Sequence, residues 1–173
     1  VVPYFKRYFV TNEYGLQREI KASYSVAPTS ASAFSNYIFR DMKEIYTGRV
    51  TPSWIDDLQE NQVFVFGSNL AGMHGGGAAR VARLRFGAVM GNGVGMQGRS
   101  YAIPTMQGGT ETIRPYVNDF IAYAKEHPEL TFLVTPIGCG IAGFEPEDIA
   151  PLFEKASNVE NIWLPKSFWE VLT

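Results

Sequence analysis

Cysteine is nearly absent from this chain of 173 residues. Cys139 stands alone, which rules out a disulfide within the chain and any cysteine-built metal cluster. Histidine is almost as scarce: His74 and His127 are the only two. Neither has a second ligand type at the short spacing of a zinc site, so no metal is expected. No apolar stretch approaches the roughly eighteen residues of a membrane-spanning helix. No membrane partner is expected, and the lone thiol makes the reducing cytoplasm the expected setting. An excess of one charge is missing too. Fifteen Lys and Arg face seventeen Asp and Glu, for a formal net charge of −2. An extended nucleic-acid groove needs clustered cations to displace counterions, and no such cluster occurs. An anion bound here has to be held by main-chain N–H groups.

Apolar residues are plentiful at 46%, enough for one packed domain with a modest appendage. Residues 1–50 read as that appendage. The stretch 4–11 is rich in strand formers, Asn12-Glu13-Tyr14-Gly15 is a turn, and 16–26 alternates loosely, which together predict a β-hairpin. Residues 27–33 are small and polar, as in a linker. Phe34, Tyr37, Ile38, Met42 and Ile45 then fall at the spacing of a short amphipathic helix.

Residues 51–173 carry the main domain. Thr51 and Pro52 have the order of an N-cap and first helical position, so a helical turn is expected there. Val63-Phe64-Val65-Phe66 is a continuous apolar run, typical of a strand buried on both faces. Residues 100–104 and 131–135 predict two more strands, and 161–164 a last one. Helices are expected after residue 77, over a face marked by Ile113, Val117, Phe120, Ile121 and Ala124, and after Pro146, with Ile149, Leu152, Phe153 and Ala156 inward. Strands alternating with helices across short connections mean an α/β fold with a largely parallel sheet. In such sheets ligands bind beyond the carboxyl ends of the strands.

Two of the apolar strands run into glycine-rich loops at those ends. The first loop is Gly67-Ser68-Asn69-Leu70-Ala71-Gly72-Met73-His74-Gly75-Gly76-Gly77, leading into a helix. Glycines admit close approach of the backbone, and a helix start offers unpaired N–H donors with a partial positive charge. Asn69 has an amide suited to a ribose hydroxyl. The alternative is a strand-to-helix turn whose glycines serve packing. The second loop, Gly138-Cys139-Gly140-Ile141-Ala142-Gly143-Phe144, also precedes a helix. Its spaced glycines suit a nest of N–H groups around an anion, and Phe144 is either a stacking ring or a core residue. Between the two, residues 91–100 are so rich in glycine that a mobile loop is expected. Arg99 there is either a phosphate partner or a solvated edge residue.

These elements, together with Ser100-Tyr101-Ala102-Ile103-Pro104 and Pro136-Ile137, resemble in kind and order the signature segments of macro domains over residues 63–164. The resemblance implies a three-layer α/β/α macro-like fold with a mixed sheet. It also implies binding of ADP-ribose, recognition of an ADP-ribosylated macromolecule, or hydrolysis of ADP-ribosyl bonds, with no cofactor required. By position, Asn69 would meet the distal ribose. Gly67, Ser68, Gly75, Gly76 and Gly77 would line the first loop. Gly138, Cys139, Gly140, Ile141, Ala142 and Gly143 would cradle the diphosphate, and Phe144 would close the ribose side. Asp56 and Asp57 are positional candidates for an adenine contact. Where one hydrolase type of the family carries an Asp, this chain has Ala78-Ala79-Arg80. Where the glycohydrolase branch carries paired Glu, residues 81–88 hold no acid. These departures weigh against catalysis more than against binding.

For catalysis, Asn69 and His74 are the candidates, His74 being the one group in the first loop that titrates near neutrality. A histidine that merely bonds its own loop is the alternative. Cys139 reads either as a nucleophile activated by the following helix or as a buried small residue. A module for a different nucleotide, or a non-catalytic interaction domain, is the third class.

Overall fold

The computed structural model describes the backbone of residues 4–11 and 17–24 and all of residues 48–173. The expected turn at 12–15, linker at 27–33 and helix over 34–46 lie outside the described residues. Strands β1 (Tyr4–Thr11) and β2 (Gln17–Tyr24) pair antiparallel, from Tyr4 opposite Tyr24 to Thr11 opposite Gln17. That is the hairpin the sequence predicts. It belongs to one unit of the chain, and residues 49–172 form a second.

The second unit is built on a five-stranded mixed sheet. Its members are β3 (Gln62–Ser68), β4 (Gly95–Gln97), β5 (Ser100–Pro104), β6 (Thr131–Val134) and β7 (Ile162–Trp163), in the order β4-β5-β3-β6-β7. Only β4 runs antiparallel to its neighbour. The helices are α1 (Gly77–Arg85), α2 (Thr110–Glu126), α3 (Pro146–Ile149) and α4 (Lys166–Leu172), with a 3-10 segment over Ala150–Asn158.

Side-chain alternation along β3 explains how both sheet faces are covered. Phe64 and Phe66 point to one face, where they join Ala79, Ala82, Phe86, Ala102 and Leu133 in a single cluster under α1. On the other face Phe120 of α2 meets Tyr101, Phe132 and Phe153 at centroid distances of 5.1, 5.5 and 6.3 Å. The α2 stripe is as expected: Ile113, Val117, Phe120, Ile121 and Ala124 are all buried. Helical layers on both faces leave the strand ends as the place for a cleft.

Four expectations are corrected. Residues 91–100 are not a mobile loop, because 95–97 pair with β5 as β4. Gly93 serves close contact: a Cβ there would overlap Asn69 O, and on the facing segment one on Gly72 would overlap the Asn92 backbone. Thr51 opens no helix. Its N–H donates to Leu164 O at 2.9 Å and its hydroxyl to Trp163 O at 3.0 Å, and Val50 bridges Leu164 in parallel, so the segment extends the sheet. The helix after Pro146 stops at Ile149 and continues as 3-10 turns, still burying Leu152, Phe153 and Ala156. Finally, the expected last strand is present as β7, but it does not close the series of elements: α4 follows it and buries Phe168, Trp169, Val171 and Leu172. Among the described residues, no helix is long and apolar enough to cross a membrane.

Candidate functional site

The parallel strands β3, β5 and β6 end side by side, and their outgoing loops enclose a cleft of about 440 Å³. That size suits a small-molecule ligand, for which pockets run roughly 300–1,000 Å³. From β3 come Gly67, Ser68, Asn69 and Met73; from the end of β5 come Thr105 and Met106. Gly76, Gly77, Ala78 and Ala79 at the start of α1 form one wall. Residues 135–142, leaving β6, form the wall opposite.

The two glycine-rich loops therefore converge. At their base the backbones touch: a Cβ on Gly67 would lie 3.3 Å from Gly138 N and 3.5 Å from Ile137 Cα. Nearer the mouth, a Cβ on Gly76 would stand 3.4 Å from Ile141 Cδ1. Gly138 needs its glycine for two reasons. Its φ of 74° is left-handed, and a Cβ there would press on Ile149 at 3.1 Å.

Main-chain donors are concentrated at this junction. Helix α1 begins at Gly77 after an extended Gly76 that provides no side-chain cap, so the N–H groups of its first turn lack intrahelical acceptors. Across the cleft, Gly143 N–H returns to Gly140 O at 3.0 Å and Phe144 N–H to Gly138 O at 3.0 Å, shaping the second loop. Among the described residues, no protein acceptor takes the N–H of Gly140, Ile141 or Ala142.

The side chains facing the cleft are already engaged. Asn69 closes its own loop, with Nδ2 donating to Met73 O and Oδ1 accepting from Met73 N–H, both at 3.0 Å. The hydroxyls of Ser68, Thr105 and Thr135 donate to the carbonyls of Asn69, Ser68 and Val65. Among the described residues, no Asp, Glu, His, Lys or Arg lines the cleft.

His74 is not in the cleft. It is fully buried, edge-on to Phe66 at 5.2 Å, with Nε2 3.0 Å from Asn92 O. Since a carbonyl only accepts, Nε2 carries the proton, and the ring fastens the first loop to residue 92. Arg99 meets no phosphate position: its guanidinium donates to the carbonyls of Leu58 and Gln59. Asp56 pairs with Arg85 and Asp57 caps Leu58 N–H, and neither lines the cleft. Gly75, Gly143 and Phe144 also fall outside the lining. Phe144 supports the loop from beneath, its ring 3.4 Å from a Cβ built on Gly138.

Cys139 does line the cleft, yet its thiol is the reverse of activated. Burial, then the carboxylates of Glu145, Asp148 and Glu147, push its pKa up from 9.0 to about 11. The helix that follows spans only four residues and carries Glu147 and Asp148 in its first turn, so its N-terminal positive end is short and already neutralised. Thiolate therefore forms only as pH climbs through about 11. Alkylation of Cys139 by iodoacetamide is expected to keep accelerating between pH 9 and pH 10.5, with folding followed by circular dichroism. A plateau at pH 9 would contradict this arrangement.

Met73, Thr105, Met106 and Thr135 line the cleft without having been singled out from sequence. The signal was available for the last three, which directly follow or adjoin the carboxyl ends of β5 and β6. Comparison of the chain with family models, with curated proteins and with solved structures gave no match.

Proposed function

We propose that the 49–172 unit is a macro-type module that binds ADP-ribose, free or attached to a macromolecule. One observation carries the reading: two glycine-rich loops meet across one cleft with main-chain donors on both sides and, among the described residues, no charged side chain between them. A diphosphate has acceptor oxygens on two phosphorus centres, which suits two opposed sets of amides. Its flanking sugars need neutral surroundings of the sort that Ser68, Asn69, Thr105 and Thr135 supply. The family resemblance of the loops adds the choice of ADP-ribose within that ligand class.

Binding is favoured over hydrolysis. General acid–base chemistry needs a titratable side chain within hydrogen-bond reach of the reacting atoms. Among the described residues the cleft offers only Cys139, whose proton is held to about pH 11. His74 is sequestered behind Phe66 and Asn92.

Titration calorimetry of the full chain with ADP-ribose tests the reading. One saturable site is expected, and ligand at a hundredfold excess over Kd should stabilise the fold by about 2.7 kcal/mol. Absence of heat with millimolar ADP-ribose would reject it.

A further inference from the structure

We propose that the cleft grips its ligand's base through apolar contact alone and therefore accepts nucleoside diphosphate riboses with little regard to the base. This rests on the nucleotide-binding reading above. Three large apolar side chains stand in solvent around the cleft: Met73 at 62% exposure, Met106 at 50% and Ile141 at 79%. Single exposed apolar residues are ordinary on any protein surface. These three come from three different loops, those following β3, β5 and β6, and all line the same cavity. Apolar residues gathered around a concave polar site are a ligand-contacting surface. Methionine, unbranched and polarizable, adapts to flat rings of different outline.

Among the described residues, no charged side chain lines the cleft, and the amide and hydroxyl side chains there are each bound to the backbone. Discrimination among bases comes from buried hydrogen-bonding groups that the wrong base leaves unpaired, whereas apolar pockets separate ligands weakly. Both ends of the Asn69 amide are bonded to Met73. The Ser68, Thr105 and Thr135 hydroxyl protons are given to backbone carbonyls. Asp56 and Asp57 are held elsewhere by Arg85 and by the Leu58 amide. The amides of the two loops serve the diphosphate and do not distinguish what is attached to it.

Calorimetry of the full chain with ADP-ribose, GDP-ribose and UDP-ribose, repeated on Met106→Ala and Ile141→Ala, decides the matter. The three ligands are expected to bind within about tenfold of one another. Each substitution should weaken all three by a similar factor, about fivefold, as removed apolar contact does, and weaken ribose 5-phosphate by clearly less. Both side chains are exposed, so the variants should fold, and unchanged melting temperatures verify that. A preference of a hundredfold or more for ADP-ribose overturns base tolerance while the ADP-ribose reading stands. Ribose 5-phosphate weakened as much as the nucleotides overturns the apolar base contact. Binding of none of the three removes both.

Discussion

Gly140→Leu is expected to abolish ADP-ribose binding while leaving the melting temperature within about 2 °C of the parent. The two effects separate because of where Gly140 sits. It lines the cleft, its φ is outside the left-handed range, and a Cβ added to it meets nothing within 4 Å. A leucine side chain can therefore be accommodated without backbone strain, and at a position lining the cleft it takes up room at the cleft wall. A loss of at least a hundredfold in affinity, about 2.7 kcal/mol, follows if that space is where the diphosphate lies. The variant is measured by calorimetry alongside thermal unfolding. Undiminished binding would remove the second loop from the site. The neighbouring Gly143 is a poorer choice for the experiment, since its φ of 79° adds backbone strain to any substitution.

The second large effect is on folding. Gly93→Ala is expected to destabilise the chain by about 3–5 kcal/mol, in the range of severe overpacking against rigid neighbours. The methyl group would overlap Asn69 O, which already accepts Gly72 N–H at 2.9 Å and the Ser68 hydroxyl at 3.1 Å. Backbone cannot swing aside as a flexible side chain can, so the whole first loop must shift, and ligand binding should weaken with it. The melting temperature should fall by about 10 °C for a chain of this size. Gly75→Ala is the control, because nothing lies within 4 Å of its added Cβ. It should change stability by no more than about 0.5 kcal/mol. Equal melting temperatures for the two variants would show that the 69–72 and 91–93 segments are not interlocked as described.

The contrast between these glycines marks the limit of what the sequence reveals. The central strand was legible because Val63-Phe64-Val65-Phe66 leaves no polar face, and α2 because five buried residues follow one helical stripe. The loops at the cleft were legible because glycine runs placed after apolar strands have few other uses. Glycine itself, however, does not announce why it is there. Gly72 and Gly93 serve contact between two backbones, Gly138 serves a left-handed turn, and Gly140 serves open space. All four look alike in the sequence. The same ambiguity hid β4, since glycine-rich stretches lack the alternation that marks a strand, and pairing with β5 supplies its order instead. His74 looked reactive because its loop was the right one. Its burial is decided by Phe66 and by Asn92, eighteen residues further along. Thr51 looked like a cap because Pro52 follows it, but its partners are Trp163 and Leu164, more than a hundred residues away.

That last pairing has an architectural consequence. Arg49 donates through its guanidinium to the carbonyls of Ser157 and Val159, lies 5.3 Å from the centre of the Trp169 ring, and offers its own carbonyl to the indole N–H. The place where the chain enters this unit and the place where it leaves are thus one clasp. It is fastened at the β7 edge of the sheet, two strands from β3, which carries the first glycine loop. Trimming the chain on either side of the clasp would unseat the other half.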